Sequence, residues 1–164
     1  MTLGAVPLAG QNAPGVDVWI SHPSGTVRQG TVVAARAVAD PGAYLVVFRV
    51  TPDNRIVIIT PRTPYQVARV PNSGLHAGGL NASFRAAGAN GVGYVFVAAS
   101  YTPFNFSRVS AGGQWNGALL ATPPHGDALH MADWFVQQIV PSHDTPYGVT
   151  DVAYYVGIAP RARL

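Results

Sequence analysis

Two apolar runs, at residues 44–50 and 56–59, flank Thr51-Pro52-Asp53-Asn54, a tetrapeptide made almost wholly of turn formers, and this arrangement predicts a β-hairpin. In the first run Tyr44, Val46, Phe48 and Val50 share one face while Leu45, Val47 and Arg49 share the other; Ile56, Val57, Ile58 and Ile59 leave neither face of the second run polar. A hairpin apolar on both sides has to be covered on both sides. Tyr44, Val46, Phe48, Ile56, Ile58, Tyr94, Phe96 and Ala98 are therefore the expected core.

The rest of the chain punctuates this hairpin with shorter strands. Residues 16–20 alternate, with Val16, Val18 and Ile20 opposite Asp17 and Trp19, and residues 31–38 alternate more loosely before Asp40-Pro41-Gly42 breaks them. Three prolines in residues 61–71 reduce that stretch to a loop, with at most an edge strand near 66–70. Residues 80–86 alternate as a half-buried strand, Gly88-Ala89-Asn90-Gly91-Val92-Gly93 reads as a hairpin loop, and 94–101 form a second strongly apolar strand. Residues 102–124 are irregular. From 127 the period changes: Leu129, Ala132, Phe135, Val136, Ile139 and Val140 fall at helical spacing, with Asp127 as N-cap and Pro141 as stop, and 149–158 reads as a closing strand. The expected fold is mainly β, a β-sandwich of antiparallel strands with one C-terminal α-helix at about 127–140. It forms a single domain over residues 16–158, preceded by an extended arm at 1–15 and followed by a tail at 159–164.

Composition changes this picture in one respect. Charged residues make up 10% of the chain where about 25% is ordinary, and all are arginine or aspartate, since lysine and glutamate are absent. A GC-rich coding bias accounts for arginine in place of lysine; the low total charge also fits a surface partly hidden by a partner. The net charge of +3 comes from arginines scattered along the sequence, without the clustered stripe of a nucleic-acid binder. No apolar run approaches the ~18 residues of a membrane span, and residues 1–15 carry no positive charge that would begin an export signal.

The missing residue types limit the chemistry. Without cysteine there is no thiolate, without lysine no Walker A lysine or Schiff base, and without glutamate any proton transfer falls to His, Asp or Tyr. His125 and His130 lie five apart, not at the spacing that stacks two ligands on one helix turn; His130 and Asp133 fit a solvated pair, and His143 with Asp144 gains no serine motif. Residues 88–93 (GANGVG) precede a strand rather than a helix, so no dinucleotide loop is expected. The expectation is no catalytic residue, no metal and no cofactor. Phe104, Phe106 and Trp115 lie on a loop, where large aromatics mark a contact surface, and they are the candidate partner-binding residues.

The order of several segments resembles a known family. Val16 to Ile20, Ser24-Gly25-Thr26-Val27-Arg28 with Gly30, Tyr44-Leu45-Val46-Val47-Phe48 with Val50, Asp53 and Arg55-Ile56, Ile59 with Pro61, Gly78-Gly79, Gly91 with Gly93-Tyr94-Val95-Phe96, Ala99-Ser100 with Pro103-Phe104, and Tyr154-Tyr155-Val156-Gly157 together resemble the bacterial DUF4384 domain. The resemblance implies an envelope-associated or lipoprotein-like β-sandwich without an established catalytic residue, and this chain shows no lipobox cysteine. Taken with the residues, it points to a non-enzymatic accessory subunit that binds other proteins at or near a membrane-bound bacterial assembly. The alternatives are a carbohydrate- or peptide-binding module using the loop aromatics, and then a hydrolase with a dispersed site.

Overall fold

The computed structural model describes residues 13–22, 26–71 and 78–157. In chain order these form β1 (Val16–Ile20), β2 (Thr26–Val27), β3 (Thr31–Ala39), β4 (Tyr44–Val50), β5 (Ile56–Thr60), β6 (Gly78–Ala86) and β7 (Gly91–Ser100). A 3-10 turn (Ser107–Val109), β8 (Ser110–Ala111), β9 (Gln114–Trp115), α1 (Gly117–Leu120), α2 (Ala128–Ile139) and β10 (Gly148–Val156) follow.

Two sheets face each other. One has the order β1-β3-β6, the other β2-β10-β7-β4-β5, and β8 and β9 form a separate small hairpin. Pairing is antiparallel except between β2 and β10, which run parallel, so the larger sheet is mixed rather than purely antiparallel. The chain passes between the sheets at five places, from β1 to β2, β2 to β3, β3 to β4, β5 to β6 and β6 to β7. The hairpin loop expected at 88–93 is instead an inter-sheet crossing that ends at Gly91, where β7 begins: β6 and β7 belong to different sheets, and local turn chemistry does not distinguish the two.

The central hairpin is covered on both sides. Leu45 and Val47 of β4 face the smaller sheet with Val95, Val97 and Ala99, against Val33, Ala35, Ala37 and Ala39 of β3. Val46, Phe48 and Val50 face the other way and meet Met131, Ala132, Phe135, Val136 and Ile139 of α2. The molecule is thus a sandwich with a helix and a long loop laid on the outer face of the larger sheet. Of the expected core, Val46, Phe48, Ile56, Phe96 and Ala98 are buried, Ile58 and Tyr94 are half-buried at the margin of the helix layer, and Tyr44 is half-buried with the Arg69 guanidinium over its ring.

The helix forms where its period places it. Asp127 caps it, its Oδ1 accepting the His130 N–H at 2.8 Å. Its buried stripe runs through Met131, Phe135 and Ile139. Leu129, expected on that stripe, is 65% exposed because it lies at the margin of the stripe in the first turn. Residues 68–70 run beside the start of β4: the Leu45 N–H donates to the Ala68 carbonyl at 2.9 Å and the Val70 N–H to the Ala43 carbonyl at 2.8 Å, an edge contact too short to count as a strand. Of the expected arm, residues 1–12 lie outside the described residues. Gly15 is tied down, its N–H donating to Asp40 Oδ2 at 2.7 Å while its carbonyl accepts the Asp40 N–H at 3.2 Å. The tail at 159–164 also lies outside the described residues.

Candidate functional site

The segment between β7 and α2 builds a groove at the end of the sandwich where β4 begins and β7 ends. The irregular stretch expected there contains the 3-10 turn, the β8–β9 hairpin and α1, all pinned by specific contacts. The Asn105 N–H donates to the Ile139 carbonyl at 2.7 Å, satisfying one exposed carbonyl at the helix C-terminus. Asn116 caps α1 through its Oδ1, which accepts the Leu119 N–H at 3.1 Å. Gly112 and Gly113 take φ of 61° and 79°, the left-handed pair that a two-residue hairpin turn requires.

The three candidate aromatics form one run. Phe104 and Phe106 lie with ring centres 6.4 Å apart, and Phe106 meets Trp115 edge-on at 5.0 Å. All three are half-buried and pack against the core under the helix. The Trp115 indole N–H donates to the Arg62 carbonyl at 2.9 Å, which ties the loop to the segment after β5. Trp115 therefore braces the loop, while Phe104 and Phe106 also line the groove.

The groove is an open trough of about 650 Å³ bounded by Pro64 and Tyr65 on one side and by Thr102 to Ser107, with Pro141, on the other. Among the described residues no charged side chain lines it. Its rim is apolar and solvated: Tyr65 is 81% exposed and Val67, just beyond it, 71%. The Tyr65 ring rests against the β8–β9 turn, where a Cβ on Gly113 would come within 2.7 Å of it. Beyond Val67 a second recess of about 520 Å³, bounded by Thr60, Arg62, Gln66 and Asn81, opens between the edges of the two sheets. Tyr65 and Val67 were not singled out in sequence, because three neighbouring prolines mark a loop and give no period from which exposure could be read.

Elsewhere the titratable groups serve the fold. His143 Nε2 lies 3.3 Å from Asp144 Oδ1, with both side chains mostly in solvent. His130 and Asp133 form no hydrogen bond or ion pair with each other: the His130 backbone N–H donates to the Asp127 cap, and Asp133 accepts from the Tyr147 hydroxyl at 3.1 Å. Burial comes first in raising the Tyr147 pKa. Ser100 is buried, its hydroxyl donating to the Pro146 carbonyl and accepting from the Thr102 N–H. Among the described residues no three His, Cys, Asp or Glu side chains gather in a metal-ligating group. Among the described residues no helix is long and apolar enough to cross a membrane.

An uncharged, open trough with an aromatic rim suits an apolar stretch of polypeptide better than a small molecule, which is usually enclosed by its site. No protein-family model matches the chain. No curated protein is similar to it.

Proposed function

We propose that this chain is a non-enzymatic accessory subunit that holds an apolar segment of a protein partner in the groove between Tyr65 and the 102–107 loop, within a membrane-associated bacterial assembly. One observation carries the reading: Tyr65 and Val67 stand exposed beside a trough lined by Phe104 and Phe106 without a charged group, a surface that costs free energy in water and gains when covered. The low charge of the whole chain supports it, and the resemblance to the DUF4384 domain supplies the envelope setting.

The test is isolation of the chain in mild detergent from cells that make it, beside the double variant Tyr65→Ser, Val67→Ser. Stoichiometric protein that travels with the native chain and is lost from the variant, at an unchanged thermal midpoint, supports the reading; a partner retained by the variant, or none at all, refutes it.

A second reading has its own observation. Trp19 is 54% exposed on the outer face of the smaller sheet, directly opposite Arg36, whose Nη1 donates to Asn81 Oδ1 at 3.1 Å on the next strand. A ring platform beside fixed hydrogen-bonding groups suits a saccharide. Quenching or shift of tryptophan fluorescence by soluble glycans, abolished in Trp19→Ala, would favour that module over the subunit.

A further inference from the structure

Arginines that are scattered in sequence converge in space. At the end of the sandwich opposite the groove, four segments meet: Gln29 Nε2 donates to the Gly88 carbonyl and to Asn90 Oδ1 at 2.8 Å, Pro52 packs against Gly91, and the Gly157 N–H donates to the Val27 carbonyl at 3.1 Å. These segments and the strand ends that feed them carry Arg28, Arg49, Arg55 and Arg85. Four of the ten arginines thus belong to this end, against one aspartate, Asp53, among the described residues of the same segments.

The acid is already engaged. Asp53 accepts from the Thr51 hydroxyl at 2.6 Å and pairs with Arg55 Nε at 3.4 Å. Arg85 donates to the Gly30 carbonyl, a neutral partner that leaves its charge unbalanced. Arg28 is exposed and forms no ion pair among the described residues. Arg49 lies in the mouth between the sheets, its guanidinium 4.7 Å from the Phe84 ring centre and donating to the Tyr154 hydroxyl, with its Nε buried without a hydrogen-bond partner. Exposed apolar side chains flank these charges on the two outer faces of the sandwich. Val92 (47% exposed) and Tyr155 (48%) are cross-strand neighbours, Val32 (52%) lies opposite Arg85, and Val57 lies opposite Arg49.

We propose that this arginine-bearing end binds an anionic lipid surface, with Arg28, Arg55 and Arg85 at the headgroups and Tyr155, Val92 and Val32 reaching the boundary with the acyl chains. The charge is complementary to anionic headgroups, and aliphatic chains interspersed with arginine suit an interface, where both ends of such side chains are satisfied. Nucleic acid fits less well: valines offer nothing for a base to stack on, and Tyr155 is the one exposed aromatic ring among these segments. The inference builds on the membrane-peripheral part of the reading above and orients it. The groove lies at the far end of strands nine or ten residues long, about 30 Å away, turned toward a partner rather than the bilayer.

The experiment is sedimentation of the purified chain with phosphatidylcholine vesicles, with and without phosphatidylglycerol. No protein partner is present, so a groove that fails its own test does not affect the outcome. Binding is expected only to the anionic vesicles, falling with added salt and by about fivefold for each of Arg28→Gln, Arg55→Gln and Arg85→Gln. Tyr155→Ser should weaken binding further at a salt concentration that screens the arginines. Arg108→Gln, on the loop at the other end, is the control. Circular dichroism confirms that each variant is folded. Equal binding to both vesicle types, or none to either, overturns the proposal. So does an Arg108→Gln loss equal to the others, which would leave only net charge. Tighter binding to double-stranded DNA than to the vesicles, unaffected by Tyr155→Ser, would replace the lipid surface with nucleic acid.

Discussion

The two faces of the larger sheet are packed by different means. Toward the smaller sheet the core is built of alanine and valine: Ala35, Ala37 and Ala39 of β3 lie against Val47, Val95, Val97 and Ala99, and its aromatics, Phe84 and Tyr154 at 5.1 Å, stand at one end beside Arg49. Toward the helix it is aromatic. Phe48 stacks on Phe96 at 5.4 Å and meets Phe135 at 4.6 Å, with Tyr94, Phe104, Phe106 and Trp115 around them. Two sheets meet as surfaces and close on short side chains, whereas a single cylinder on a sheet leaves wedge-shaped gaps along both flanks. Large rings fill those gaps, and the 102–124 loop brings several of them. The same strand residues thus answer to two geometries, one sensitive to added volume and the other to lost volume.

The largest effect should come from removing volume on the aromatic side. Phe48→Ala and Phe96→Ala each vacate a fully buried site among other rings and should cost about 3–5 kcal/mol in denaturant unfolding. A cost below about 1 kcal/mol for either would mean that the helix layer is not packed on the sheet. The opposite change probes the other face. Ala37→Leu adds three carbons between the sheets, at a residue 1% exposed, and should cost about 1–3 kcal/mol by overpacking. If Ala37→Leu proves harmless, the seam between the sheets is looser than its short side chains require.

How far each face was legible follows from the same geometry. The period-2 runs at 44–50 and 56–59 require cover on both sides, and the 3.6-residue period after Asp127 supplies one of the two covers, so the sandwich and its helix could be read locally. Sheet membership could not. Gly88 and Asn90 look the same at a hairpin and at an inter-sheet crossing, and nothing local places β10 between β2 and β7. Residues 26–27 are too short to announce a strand and become one through β10. At the candidate site the pattern was partly informative: Phe104, Phe106 and Trp115 were visible as loop aromatics, but their half-burial depends on α2, distant in sequence, and the exposure of Tyr65 on its contact with Gly113. The arginine-bearing end was hidden for the same reason, since Arg28, Arg49, Arg55 and Arg85 are brought together by topology alone.

A smaller change sharpens the comparison at a polar corner of the inter-sheet core. Tyr154→Phe keeps the ring against Phe84 and removes the hydroxyl that accepts from Arg49 Nη1, leaving a guanidinium that already has one buried, unpartnered nitrogen. The expected cost is about 1–2 kcal/mol. No change in stability would show that water replaces the hydroxyl and that the mouth between the sheets is wet. Gly93, opposite Tyr154 on β7, tests the same corner sterically: a Cβ there would collide with the Tyr154 ring, so Gly93→Ala should displace the ring and its bond together.

The smallest expected effect separates two aspartates whose surroundings act in opposite directions. Asp151 lies on the helix-side face of β10, opposite Phe96; it is exposed, and partial desolvation raises its pKa above 3.8 without an ion pair among the described residues. Its charged form is therefore disfavoured in the folded state. The penalty is full above the raised folded value, shrinks as pH falls through it and is gone below 3.8, where both states are protonated. Asp151→Asn should raise the thermal midpoint slightly at neutral pH and leave it unchanged in acid. Asp53 has its pKa lowered, first by the Thr51 hydroxyl and then, against some desolvation, by the nearby backbone, Arg55 and Arg49. Its contribution to stability is full above 3.8 and is lost as pH falls through the lowered folded value, so Asp53→Asn should lower the midpoint at neutral pH and converge with the native chain in acid. Midpoints measured from neutral to strongly acidic pH should thus move the two variants toward the native curve from opposite sides. If Asp151→Asn instead lowers the neutral midpoint, its carboxylate has a partner that offsets its partial desolvation, and the sheet at the helix margin is more polar than its neighbours Val149, Ala153 and Phe96 indicate.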